Sequence, residues 1–545
     1  MAIYNGQASM LKGGTAQTGS LVGISKMANG LKASRLGIMA ASENRVNSET
    51  EGYARRDVAL YSNELRCVLA DLCRISNDYA QNDLRAMNSA AEYYKTVSDN
   101  FSLLEQYITS PNSKQIADDP NAAIDASDIG GALKTLRLSL DNLSTDKDDI
   151  AKKQNVRDAV HTLIETIKRT YGMVQQTEEK LTQNFSTQVE AINNLLEEIN
   201  NLSLEISAAS AGGRAVFSLE DARDKKLKEL SNYIPIEVEN LTEEVNGCQM
   251  LICRVSLKAN ETQIAAPNPP GNHVLNAEDR KLIDGRGRVD IAKFDIEQDQ
   301  NGNDVLTFYH AGTRNAAGVA QGRAIVGDTN NGVAPGANHG YDFQDYLQTA
   351  FKDAGSLAAT LNALKNLNNG AAGRADERIH NISDFKGFLD TLANNLTTEL
   401  NNANGVGGHE LLAGAGANVA ALAIDPAWLA NENQLQSARV DALCEKLDER
   451  LNNLNVIDGA DHNFEEFFDA IVVNLGKDIN QMNTRLEAAQ QRLDAAKDRV
   501  EEESGVNAQE DVIDIQTFRA IYQFVQNALQ VRFQLLDLSA NLLKY

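Results

Sequence analysis

The sequence is poor in the residues that build a large sandwich or an aromatic core. Of its 545 residues 8 are Pro, one is Trp and 6% are aromatic. That supply predicts Leu/Ala-type helix packing. No run of 18 apolar residues occurs, so no segment reads as a membrane-spanning helix. Basic residues are in deficit, 51 Lys+Arg against 76 Asp+Glu, for a net charge of −25. This excludes broad contact with nucleic-acid phosphates and adhesion to an anionic membrane surface. The opening MAIYNGQASMLKGGTAQTGS carries no apolar core followed by a small-residue cleavage site. It is not an ordinary signal peptide, and any export would read an uncleaved polar N-terminus.

Chemistry-bearing constellations are also scarce. The five cysteines, Cys67, Cys73, Cys248, Cys253 and Cys444, show no zinc spacing and are expected to be reduced structural thiols. Cys67 and Cys73 fall in a stretch read as helical, on different faces. The seven histidines are scattered, and no two lie three to five residues apart. Gly285-Arg286-Gly287 is too short for a dinucleotide loop, and no phosphate-binding or nucleophile-elbow motif occurs. Asp299, Asn301, Asn303 and Asp304 lack the closing Glu of a calcium loop and read as a turn. No catalytic, cofactor-binding or metal-ligating residue is predicted, and the chain is not expected to be an enzyme.

Hydrophobic residues make up 42% of the chain, enough for a sizeable core. Ser20 is a candidate N-cap for a first helix. Ile24, Met27, Leu31, Ser34, Ile38 and Ala41 then step by 3,4,3,4,3, a heptad seam with small residues at two positions. Gly52 breaks this helix. Helical composition returns over 64–108, with Leu65, Leu69, Leu72 and Ile75, and Pro111 and Pro120 close it. Residues 128–208 contain no Pro and predict long rods; Ile192, Leu195, Ile199, Leu202 and Ile206 form another seam. After Pro235 the character changes. IPIEVEN and QMLICRVSLKA are rich in β-branched residues, and RVDIAKFDIEQ with DVLTFYH predicts a hairpin turning at Asn301-Gly302. Helical patterns resume at 341–366, 376–403, 434–454 and 463–500. In the last segment Ile515, Phe518, Tyr522, Val525, Leu529, Phe533, Leu536, Ala540 and Leu543 keep the heptad with one stutter.

The expected fold is therefore mainly α with a central β-containing insert, in nested layers. Coiled-coil-like N- and C-terminal helices lie together, a long helical bundle sits inside them in sequence, and an outer β domain lies at the centre. The expected boundaries are a disordered export segment at 1–20, a terminal helical domain from 21–60 with 505–545, and a bundle from 61–234 with 376–504. The outer β domain takes 235–345, and 346–375 connects back. An isolated amphipathic helix is marginal in water, so the end seams are expected to be completed by other subunits.

Ser42, Asn44, Asn47, Thr50, Gly52, Tyr53 and Arg55 resemble the signature that follows the first helix of bacterial flagellar axial proteins, with Glu43, Arg45, Val46 and Glu49 departing from it. Further on, Asp221, Arg223, Asp224, Leu227, Glu229, Leu230 and Ser231 resemble a helix of the flagellar hook-associated protein 1 family. So do Ala423, Ile424, Asp425, Pro426, Leu429 and Ala430, the segment starting at Phe464, and Ser504-Gly505-Val506-Asn507 before the last helix. Hook proteins are similar at the first signature, but β structure normally follows it directly there, whereas a helical region is expected here.

The resemblance implies a structural subunit, exported through the flagellar type III channel, that joins hook to filament at their junction. It implies no cofactor. The implied partners are self, the hook protein, the second hook–filament junction protein and an export chaperone on the C-terminal helix; nucleic acid and membrane are not among them. The implied assembly interface comprises Ile24, Met27, Leu31, Ile38, Asn44, Asn47, Thr50, Gly52, Tyr53 and Arg55 at the N-terminal end. At the C-terminal end it comprises Ile515, Phe518, Tyr522, Val525, Leu529, Phe533, Leu536 and Leu543. Gly52 is expected to take a positive φ and Tyr53 to dock on a neighbouring helix. Other readings are another axial protein, a secreted coiled-coil effector or adhesin, or a hydrolase with its site in 240–345.

Overall fold

The computed structural model describes residues 18–50, 52–62, 68–108, 128–245, 248–258, 280–285, 291–298, 304–309, 341–342, 353–364, 380–405, 409–414 and 418–542. The chain opens with helix α1 (Thr18–Val46) and closes with α11 (Ala508–Leu542). Between them lies a body organised around one rod, α4 (Ile150–Ala211), 62 residues long. Absence of proline lets it run unbroken. Asp149 starts it, its carboxylate accepting from the Ala151 and Lys152 amides at 2.8 and 3.3 Å. One face of the rod is buried along its whole length, from Val156 through Leu163, Val174 and Ile192 to Ile206.

Other helices build the body, some on that face and the rest on one another. They are α2 (Asp78–Ile108), α3 (Ile129–Ser144), α5 (Phe217–Tyr233), α6 (Ser356–Leu364), α7 (Ile382–Asn404), α9 (Val440–Asp448) and α10 (Phe464–Ser504), with the single turn α8 (Pro426–Ala430) between α7 and α9. Capping boxes start α7 (Asn381 with Asp384) and α10 (Asn463 with Glu466), so each boundary is written in local sequence. The segment starting at Phe464 turns Phe464, Phe467, Phe468, Ile471 and Leu475 inward. Asp425 caps α8 with Pro426 at its first position, and Trp428 is completely buried.

Among the described residues the central β structure is two small antiparallel sheets. One has the order β3 (Ile236–Val245), β4 (Cys248–Leu257), β5 (Lys281–Ile283); the other β6 (Lys293–Gln298), β7 (Asp304–Tyr309), β8 (Tyr341–Asp342). A further short pair joins β9 (Leu412–Ala413) to β10 (Ala423–Ile424). Phe294 and Phe308 pair across β6 and β7 with ring centroids 4.9 Å apart, both fully buried in the same core as α4. Asn193 of α4 pins the strand, accepting from the Phe294 amide at 2.9 Å and donating to its carbonyl at 2.8 Å. The mainly α fold with a β-containing insert is thus the observed class, and the sheets share the bundle's core.

Four local expectations are corrected. Residues within 64–108 read as helix include β2 (Val68–Arg74), which pairs in register with β1 (Arg56–Ser62) from Arg56↔Arg74 to Ser62↔Val68. A β hairpin therefore does follow the first helix directly. Cys73 lies on that strand, not on a helix, and Cys67 lies outside the described residues. Ser20 is not the cap of α1, which already begins at Thr18. Tyr341 and Asp342 are strand, residues 343–352 lie outside the described residues, and the described helix begins at Ser356. The Asn301-Gly302 turn and the Asp299 to Asn303 segment lie outside the described residues.

Because Phe294 fills the core that α4 lines, Phe294→Ala should cost about 3–5 kcal/mol. Urea unfolding followed by far-ultraviolet circular dichroism should show the helical transition moving with it. An unchanged helical transition would mean that the sheet has a core of its own.

Candidate assembly interface at the paired chain ends

α1 and α11 lie antiparallel. Gly23, Gly30, Gly37 and Asn44 are spaced by seven on α1, and they face Arg532, Val525, Phe518 and Asp511, spaced by seven on α11. Each heptad along one helix is answered by a heptad back along the other, so the register does not drift. The glycines let α11 approach closely. A Cβ at Gly37 would stand 2.5 Å from the Phe518 ring, and one at Gly30 3.9 Å from Val525. The predicted residues Ile24, Met27, Leu31 and Ile38 flank this stripe and are half-buried, as are Ile515, Phe518, Tyr522, Val525 and Leu529 opposite. Sequence reading found the apolar steps and missed the glycines, because hydrophobic periodicity gives no weight to a residue without a side chain. The seven-residue spacing was the available signal.

The base of the pair is polar. Asn44 is 1% exposed. Its amide donates to the Arg56 carbonyl at 3.0 Å and to Asp511 at 3.2 Å. Its oxygen accepts from the Arg56 amide at 2.8 Å and from the Tyr53 hydroxyl at 3.0 Å. One side chain therefore ties α1, α11 and the root of the hairpin together. Gly52 takes φ +83°, which turns the chain back so that Tyr53 reaches Asn44. Burial pushes the Tyr53 hydroxyl up to about 12, so it stays a donor. Asn47 holds the last turn of α1 through Glu43, while Thr50 is exposed and bonds Asn47. Arg55 donates its amide to the Ser504 carbonyl at 2.9 Å and faces Glu510 at 3.6 Å. Of Ser504-Gly505-Val506-Asn507, Gly505 closes α10 on the Glu501 carbonyl and Asn507 caps α11 through the Gln509 and Glu510 amides.

Phe533 and Leu536 do not enter the pair. They are 56% and 38% exposed, and Leu543 lies outside the described residues. α11 has passed its well-covered stretch by then. Around its turn, Ile521, Phe524, Ala528, Val531, Leu535 and Leu538 form a second stripe stepping 3,4,3,4,3. Phe524 is 75% exposed and Leu535 63%. A groove of about 390 Å³ between Met27 and Ala528, Val531, Arg532, Leu535 and Leu536 runs into it. Among the described residues no cluster of His, Cys, Asp or Glu could hold a metal ion, and no helix is long and apolar enough to cross a membrane.

Residues 119–261 match the family model described as flagellar hook-associated protein FlgK helical domain. These residues take in α3, α4, α5, β3 and β4, so the similarity falls on the rod and the elements packed against it. No curated protein matches the chain. Among solved structures, the flagellar hook junction protein FlgK from Burkholderia pseudomallei is similar at 16% identity and a TM-score of 0.38, over 61% of this chain. The alignment spans 47% of that protein, about half its length.

Two outcomes follow for the pair. Gly37→Val should loosen it, and Phe518→Ala in the same chain should recover part of the loss; hydrogen exchange of α1 amides reads both. If Gly37→Val alone leaves α1 protection intact, the close approach is not what sets the pair. Burial raises the Asp511 carboxyl above its usual range, and its second oxygen is buried with no donor. An acid with a raised folded value stabilises below the unfolded value, and that contribution is lost as pH rises through the folded one. α1 and α11 should therefore lose protection as pH climbs through the carboxylate range, and Asp511→Asn should flatten the decline. A decline of the same steepness in the variant would remove Asp511 as its cause.

Proposed function

We propose that the chain is a structural, non-catalytic subunit of the bacterial flagellum that joins hook to filament by self-assembly through its terminal helices. One observation carries the reading: α11 has two apolar stripes, and α1 covers only one. Burying a Phe or Leu contributes about 1.5–3 kcal/mol each, so the outer stripe from Ile521 to Leu538 is a strong site for further helices. The repeated heptad of that stripe suits the terminal helices of a second copy, packed side by side around a tube. The domain match over 119–261 supports the flagellar hook-associated class independently of the seam.

In this reading 21–60 with 505–545 form the inner tube, 61–234 with 376–504 the helical wall and 235–345 the outward face, and 346–375 connects back to the wall. The hook protein adjoins one end of the ring and the second junction protein the other. The protein is secreted unfolded by the type III route, with an export chaperone shielding α11 beforehand. The site residues are those of both seams, Asn44 and Tyr53 included, and the outer stripe of α11 is added to them.

Electron microscopy of cells lacking the gene, with flagellin assayed in the medium, tests the role. Hooks without filaments and shed flagellin monomer are expected. Absent hooks would move the role to the hook or rod, and normal filaments would remove it from the flagellum. For the interface, Phe524→Asp with Leu535→Asp should leave the protomer's thermal unfolding unchanged, since both side chains face solvent, and should abolish filaments. Filaments built by that variant would refute the outer stripe.

A further inference from the structure

The segment with Asp221, Arg223 and Asp224 is not used by either seam, yet its carboxylates are almost wholly occupied. Asp221 and Asp224 stand three apart on α5, on one face of the helix. Arg56 and Arg74 are register partners at the open end of the hairpin, one from each strand. Arg56 pairs with Asp221. Arg74 Nε donates to Asp221 at 2.9 Å, and the other end of its guanidinium pairs with Asp224. Arg85 of α2 closes on Asp224 from the body side at 3.5 Å. The Ala54 amide adds a longer bond to Asp221 at 3.4 Å. The Arg56 guanidinium also lies over the rings of Tyr53 and Phe217, 4.7 and 5.0 Å from their centroids. The arginine side chains are 3% and 9% exposed, and the carboxylates 15% and 10%.

The hairpin packs along α1, but none of its described residues joins the apolar core of the body. Among its described residues only Ala70 and Arg56 are buried, and Leu60 is 63% exposed. The paired chain ends in turn rest on the hairpin root, through Asn44 and Arg56.

We infer that Asp221 and Asp224 are a latch: they clasp both strand roots of the hairpin and thereby fix the paired chain ends to the body. A carboxylate pair suits this task because it accepts two guanidinium forks in set directions, where an apolar contact would allow sliding. Loss of one partner strands a buried charge, so the latch opens as a unit. The same ion pairs read as ordinary body packing would stabilise α5 and the rod; read as a latch they act on the hairpin and the chain ends.

Hydrogen exchange with mass spectrometry on the full chain separates the two. Asp221→Asn and Asp224→Asn should each speed exchange about tenfold or more in β1, β2 and the Asn44 end of α1. The interior of α4 around Leu163 should not change. Unchanged hairpin protection would overturn the inference, and so would an equal loss along α4, the mark of general destabilisation. A double-mutant cycle guards against a variant that unfolds for other reasons. Arg74→Gln with Asp224→Asn should cost clearly less hairpin protection than the two single losses combined, and additive losses would show that the pair is not coupled.

Discussion

Everything in this molecule is subject to one constraint: α1 must lie on α11, residue by residue, in an antiparallel register. Gly37 receives Phe518 and Asn44 receives Asp511, so the first helix and the last are one structural unit. All that lies between Val46 and Ala508 is then a closed excursion that must leave the pair and return to it. The hairpin is the outgoing limb, tied to α5 by ion pairs. The return is α10, running antiparallel to α2, with Arg499 meeting Asp83 at 2.7 Å and Asn483 meeting Ser98 at 2.6 Å. Both limbs end at the Arg55–Ser504 bond, where the excursion closes.

The body and the pair solve the burial problem by different means. α4 buries one apolar face along its length, and the two central sheets add their own side chains to the same core, so that core closes within one chain. The pair does not. Its fully buried side chains are few and small or polar, Ser34, Ala40, Ala41, Asn44 and Asp511, and its large apolar residues are half-covered or open. Two helices alone expose too much apolar surface to be stable by themselves.

The broad outline was legible in the sequence because it depends on long periodic segments. The rod, the terminal seams and the β-branched strands after Pro235 all carry a strong local signal. The β1–β2 hairpin did not. Its second strand, VLADLCR, is rich in Leu and Ala, and Leu65, Leu69 and Leu72 fit a helical step as well as a strand. Only the pairing with residues 56–62 decides between them. The hub at Asn44 was half legible: the motif marked Asn44, Tyr53 and Arg55, but nothing local pointed to Asp511. The clasp on α5 could not be read at all as a set, since Arg56 and Asp221 are 165 positions apart and charged residues have no period.

The glycine stripe has a last consequence. Gly23, Gly30 and Gly37 are equivalent stops, so a slide of α1 by seven residues, about 10 Å, would again set a glycine against Val525 and another against Phe518. The glycine spacing alone does not tell one stop from the next. The slide would, however, carry Asn44 away from Asp511 and from the hairpin root, leaving buried polar atoms unpaired. The pair is a vernier with repeated divisions and a single index mark, and one buried amide sets the length at which the two ends of the chain agree.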